Sequence, residues 1–143
     1  MRAGRVCAIQ IVAAALLILA ATVLPFATYK DLANGVTTTF GGGAGGVILV
    51  ALGVASIGSS FVLLRRPSPA LYRIQLALGC SALMVAVVLS LDKISAANHF
   101  EATGPSRTSY AFGSAVAVLA AATIAFTALT QLRTSARHGP GVA

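Results

Sequence analysis

The sequence predicts an all-α membrane protein, a four-transmembrane-helix bundle with a short extracytoplasmic β-hairpin in its first outer loop. Three observations predict it. Of the 143 residues, 57% are hydrophobic and only 9% are charged, whereas a soluble domain carries about 25% charged residues. With so few charges the chain cannot cover itself with a solvated surface, so lipid must cover it. The apolar residues fall into four runs, about 6–26, 43–64, 71–91 and 110–132. Each is long enough to cross a hydrocarbon layer of about 30 Å as a helix. The basic residues gather at alternate flanks of these runs, the pattern that sets orientation in a membrane. The length fits one domain, read as residues 1–133 with a short disordered tail at 134–143.

The first run follows Arg2 and Arg5 and holds eleven Leu, Ile, Val and Phe residues. Each favours insertion by roughly 0.3–0.6 kcal/mol, so the run inserts by several kcal/mol. It is too long for the apolar core of a cleaved leader, about 7–15 residues. Pro25-Phe26-Ala27 is also a poor small-x-small cleavage site, so the run is read as retained. After it comes Thr28–Gly42, the first outer loop, with Asn34-Gly35 at its centre. Asn-Gly suits a two-residue type I′ turn, in which both central residues need positive φ. The arm Val36-Thr37-Thr38-Thr39-Phe40 has the β-branched and aromatic character of a strand. A lone hairpin is marginal in water, so support from the membrane, the other outer loop or a partner is expected.

The second run is the most informative. It opens with five glycines in six residues at 41–46, continues without a charge, and stops at Arg65-Arg66. Its small residues let neighbouring helices approach closely, which makes it the packing centre of the bundle. The connection Arg65–Ala70 carries Pro67 and Pro69 and is short enough to make the second and third helices antiparallel neighbours. The second outer connection, Asp92–Thr108, has a turn signal at Gly104-Pro105, and its first part can extend the third helix. The fourth run holds only eight strongly apolar residues among eight alanines and leans on its neighbours to insert.

Four spans create two sets of flanks. One holds Arg2, Arg5, Arg65, Arg66, Arg73, Arg133 and Arg137 and no acid. The other holds Lys30, Lys93 and Arg107 together with all three acids, Asp31, Asp92 and Glu101. The positive-inside rule then puts both termini on the cytoplasmic side of the cell (inner) membrane. The net charge of +7 does not imply nucleic acid, because the basic residues stand in ones and twos between apolar runs.

Small residues recur at helical spacing: Gly42, Gly46 and Gly53 in the second helix, Gly79, Ala82 and Ala86 in the third, and Gly113, Ala117, Ala121 and Ala125 in the fourth. Such ridges serve packing within the chain or docking of another membrane protein. The polar residues of the spans are Gln10, Gln75, Ser56, Ser59, Ser60, Ser81 and Thr123. Gln10 and Gln75 are read as lying near the cytoplasmic ends, satisfied by water or headgroups. The serines and threonines are read as bonding back to their own helices. Tyr29, Tyr72 and Tyr110 are assigned to membrane interfaces. Cys7 and Cys80 are read as small buried apolar residues, at depths too different for a disulfide.

No ionisable residue lies at mid-depth, where proton relays sit. Asp92, His99 and Glu101 share a loop, but their spacing matches no standard metal site. No nucleophile elbow occurs. The sequence therefore carries no catalytic, cofactor or metal assignment.

The run Leu24-Pro25-Phe26, the hairpin loop, the glycine-led second helix and Ser109-Tyr110-Ala111-Phe112-Gly113 before the fourth together resemble small four-pass membrane proteins common in actinobacteria. That resemblance implies the architecture and no active residue. The plan of four helices with a β-rich first outer loop also looks like the claudin group. The tryptophan and paired cysteines of that group's first loop are absent here. Three functions are expected in descending order. The first is a non-enzymatic accessory, assembly or scaffolding subunit that partners lipid and another integral membrane protein or itself. The second is a small oligomeric transporter or channel, and the third an envelope or immunity protein binding an extracellular ligand through the hairpin.

Overall fold

A computed structural model describes residues 2–98 and 106–137. In chain order the elements are α1 (Arg2–Thr22), β1 (Ala27–Asp31), β2 (Thr37–Phe40), α2 (Gly43–Arg65), α3 (Pro69–Asn98), β3 (Ser106–Tyr110) and α4 (Phe112–Arg137). All four helices are long and apolar enough to cross a membrane. The 23 residues of α2 span about 35 Å at 1.5 Å per residue. In each helix the most apolar window is only 28–39% buried inside the bundle. The rest faces outward as a belt of side chains such as Val12, Val54, Met84, Leu119 and Phe126. A helix apolar all round needs an apolar surrounding.

The helices form a ring in which α1 and α3 each touch α2 and α4. Cys7, Leu63 and Tyr72 cluster at one end, with Leu71 and Leu132 beside them. The start of α1, the end of α2, the start of α3 and the end of α4 therefore share that end. The main core above it contains Leu17, Leu49, Leu89 and Ile124 among many alanines. At the opposite end stands an antiparallel three-stranded sheet of order β2-β1-β3. Ala27 and Tyr29 on β1 pack against Ala97 and Ile94 of α3, with Phe40 of β2 alongside.

The structure corrects several expectations. The first helix ends at Thr22, not Phe26, because Pro25 has no N–H to continue it. The expected hairpin is part of a larger sheet: Ser106–Tyr110, assigned to a loop and to the start of the fourth helix, is its third strand. The support the hairpin needs thus comes from β3 and from α3, which runs on to Asn98. The fourth helix starts at Phe112 and continues to Arg137, so 134–137, read as disordered tail, are helical. Residues 138–143, His99, Glu101 and the Gly104-Pro105 signal lie outside the described residues.

The turn also differs. Beyond the Lys30–Thr37 pair the Asp31 amide donates to the Val36 carbonyl at 2.9 Å, which leaves a four-residue loop, 32–35, rather than a two-residue one. Gly35 has φ of 68°, and among the described residues no non-glycine has positive φ, so Asn34 does not take the conformation a type I′ turn demands. Asp31 explains the longer loop. Its Oδ1 accepts from the Ala33 amide at 2.9 Å, its Oδ2 accepts from Asn34 Nδ2 at 2.8 Å, and its backbone carbonyl accepts from the Gly35 amide at 2.9 Å.

Candidate functional site

The inward faces of the helices keep a strict rhythm. On α2 the buried residues are Gly46, Leu49, Gly53, Ser56, Ser60 and Leu63, spaced alternately by three and four. On α3 they include Tyr72, Gln75, Gly79, Ala82, Ala86 and Leu89, in the same rhythm. That is the seam of a left-handed bundle, built here mainly from small residues.

Several glycines have no room for a side chain. A Cβ on Gly46 would stand 2.8 Å from the Ala21 carbonyl oxygen, and one on Gly42 2.9 Å from the same atom. One on Gly53 would meet Ile18 and, at 3.2 Å, the Ala14 carbonyl oxygen. One on Gly79 would stand 2.6 Å from the Ala125 nitrogen. Gly113 is closed by the Pro25 carbonyl and by Leu24. Ala117 and Ala121 are buried. The small residues singled out in the sequence are thus occupied by contacts between α1 and α2, between α3 and α4, and between α4 and the segment after α1.

Four buried polar side chains, Gln10, Ser56, Ser60 and Gln75, form a layer inside the Cys7–Leu63–Tyr72 end. Gln75 is fully buried, not wetted by water or headgroups. Its Nε2 donates to Ser60 Oγ at 2.6 Å and to the Ser56 carbonyl at 2.9 Å, and its Oε1 accepts from Ser56 Oγ at 2.9 Å. Across the ring, Gln10 is also fully buried. Its Nε2 donates to Thr127 Oγ1 at 3.3 Å, while its Oε1 is enclosed with no partner among the described residues. Sequence spacing missed both cross-helix bonds, since Gln75 and Ser56 are 19 positions apart and Gln10 and Thr127 are 117. Ser59 and Thr123 do bond back to their own helices.

The segment Leu24-Pro25-Phe26 and the segment Ser109–Gly113 lie together. The Ala111 amide donates to the Phe26 carbonyl at 3.0 Å, and the Gly113 amide to the Pro25 carbonyl at 2.9 Å. Those two carbonyls receive N–H groups at the start of α4 that have no partner within the helix.

The sheet has two unlike faces. One packs on α3. The other carries Thr28 and Lys30 of β1, their partners Thr39 and Thr37 of β2, and their partners Ser109 and Arg107 of β3. Thr28 Oγ1 and Ser109 Oγ are hydrogen-bonded at 2.9 Å. On the flank of the bundle, Ala8, Val12, Ala13, Leu119, Ala120 and Thr123 line an apolar groove of about 460 Å³ between α1 and α4.

Other assignments change. Cys7 is buried but Cys80 is exposed on the outer surface of α3, and neither is in a disulfide. Tyr29 and Tyr72 are buried within the protein, while Tyr110 is exposed. Asp92 pairs with Lys93 at 3.3 Å. Among the described residues no three His, Cys, Asp or Glu side chains converge as a metal site. Of the basic anchors, Arg5, Arg65, Arg66, Arg73, Arg133 and Arg137 belong to the helix ends that share the Cys7–Tyr72 end, as does the first residue of α1, Arg2. No protein-family model, curated protein or solved structure matches the chain.

Proposed function

We propose that the chain is a multi-pass integral membrane protein of the cell (inner) membrane, with both termini cytoplasmic and the sheet outside. We propose that it serves there as a non-enzymatic accessory or scaffolding subunit of a membrane complex. One observation carries the reading. The glycine seams consume the interior, so the molecule is a close-packed pedestal that holds a folded sheet above the spans. Among the described residues the two edge strands, β2 and β3, each pair on one side only, and an unpaired edge is a template for another chain. The small-residue ridges face inward, so a membrane partner would instead meet the α1–α4 groove or the sheet edges.

The test is purification in mild detergent at native expression level after crosslinking. A stoichiometric membrane partner is the expected result. A chain that runs alone overturns the reading.

A small oligomeric transporter is the second reading, favoured by the polar layer of Gln10, Ser56, Ser60, Gln75 and Thr127. Liposome flux that is lost in Gln75→Leu would select it. A ligand-binding envelope or immunity protein is the third. It predicts that replacing Asn34 and Gly35 with alanines abolishes function without changing insertion.

A further inference from the structure

We propose that the outer face of the sheet binds the phosphate of an anionic phospholipid in the adjoining leaflet, a site that rests on the membrane-spanning reading above. Lys30 and Arg107 are directly opposed across β1 and β3. Like charges so placed repel and destabilise the pair. Neither side chain has a hydrogen bond or ion pair among the described residues, where the one ion pair is Asp92–Lys93. Asp31 lies on the opposite face from Lys30 and is held in the turn by Ala33 and Asn34. An oxyanion between Lys30 and Arg107 would convert their repulsion into attraction, with the Arg fork and the Lys point charge both suited to phosphate. Thr37 and Thr39 share that face and supply hydroxyl donors for the phosphate oxygens that two cations leave over, together with the one hydroxyl of the Thr28–Ser109 pair that does not donate to the other.

The leaflet is the source the fold favours. β2 ends at Phe40 and α2 begins at Gly43, while β3 ends at Tyr110 and α4 begins at Phe112. The sheet therefore stands directly on the ends of the spans. A headgroup layer adds about 5–8 Å on each side of the hydrocarbon. Lys30 lies three residues beyond Ala27, about 10 Å of strand, and long cationic side chains reach back along such a distance. Lipid phosphate is thus held beside the pair at high effective concentration, unlike a free anion.

The experiment compares the full chain with Lys30→Gln/Arg107→Gln after reconstitution in nanodiscs of phosphatidylcholine with and without phosphatidylglycerol. Lipid retained on transfer to detergent is counted by native mass spectrometry. Both substitutions are on an exposed face, and Arg65→Gln/Arg66→Gln serves as the control for lipid held at the other end. Retained phosphatidylglycerol should bind on the order of tenfold more weakly in the sheet variant. It should survive millimolar inorganic phosphate in the native chain. Unchanged retention in the sheet variant overturns the site, and displacement by inorganic phosphate overturns the lipid as its ligand. Alkaline carbonate separates the two readings. A chain extracted from membranes defeats both, whereas a resistant chain with unchanged retention defeats only the site.

Discussion

Gln10 and Gln75 are the same residue type at the same level of the bundle, and their energetics should have opposite sign. Gln75 has both amide groups paired, to Ser56 and Ser60. Gln10 leaves a carbonyl oxygen enclosed without a donor among the described residues. An unsatisfied buried polar group costs about 1–3 kcal/mol, more than a typical hydrogen bond returns. Gln75→Leu should therefore destabilise the fold by about 1 kcal/mol, in the range of interhelical bonds in membranes. Gln10→Leu, of similar volume, should be neutral or stabilising by up to about 2 kcal/mol. Unfolding by SDS titration from mild-detergent micelles, followed by circular dichroism, measures both. Equal losses would mean that Gln10 finds a partner. Glycines divide in the same way. A Cβ on Gly79 would stand 2.6 Å from the Ala125 nitrogen, while one on Gly58 would meet nothing within 4 Å. Gly79→Ala must push α3 and α4 apart and should cost about 1–3 kcal/mol, the range for overpacking. Gly58→Ala should be neutral or stabilising by up to about 1 kcal/mol through reduced backbone entropy, in the same titration.

At the scale of elements, the four long apolar helices were legible because twenty-odd residues without a charge have few alternatives. What hid their inward faces is that both faces are apolar, so no hydrophobic periodicity marks the core. Size marks it instead. Gly46, Gly53, Gly79, Ala82 and Ala86 are inside, while Val54, Met84 and Phe126 are outside. β3 was illegible for another reason. Ser106–Tyr110 carries one apolar-bodied residue in five, and its strand character comes from pairing with β1, 75 or more positions away. The Asn34-Gly35 signal marked the turn but not its length, because Asp31 offers its carboxylate to the loop amides and closes a wider turn. That device is pH-dependent. The hydrogen bonds from Asn34 and from the Ala33 amide hold the Asp31 carboxyl below its ordinary value. A depressed folded value means that the stabilisation is complete above the unfolded carboxyl value of about 3.9. It is lost as pH falls through the lower folded value. Amide exchange at 33–35 should accelerate below about pH 4 and should be fast at all pH values in Asp31→Ala. Protection that persists under acid in the native chain would remove the carboxylate from the turn. Gly35→Ala should loosen the same loop at every pH, since φ there is 68° and a Cβ disfavours it by roughly 1–2 kcal/mol.

For the whole molecule, the decisive quantity is which end of the bundle meets which side of the membrane. The two ends differ chemically. The Cys7–Leu63–Tyr72 end gathers the arginines of 65, 66, 73, 133 and 137 without an acid, and the sheet end mixes Lys30, Lys93 and Arg107 with Asp31 and Asp92. This asymmetry was legible in the sequence, because it needs only the order of the runs. What sequence left open was the stiffness of the sheet end, since nothing local joins β3 to β1 or Ala97 to Tyr29. The structure supplies those contacts, so the ends act as two fixed, opposite markers. Leu32 is exposed in the turn beyond β1, and Ser68 lies in the short connection between α2 and α3. In a chain with Cys7→Ala and Cys80→Ala, Leu32→Cys should react with a membrane-impermeant maleimide on intact cells, and Ser68→Cys only after the membrane is opened. That double-alanine background should be tolerated, because Cys80 is exposed and Cys7 is a small apolar contact. The reverse labelling pattern would keep the four spans and invert the protein. It would place the arginine-rich end outside against the charge rule and move the lipid site to the cytoplasmic leaflet. Labelling of both positions on intact cells is incompatible with any four-span threading, because the two residues stand at opposite ends of one antiparallel helix pair.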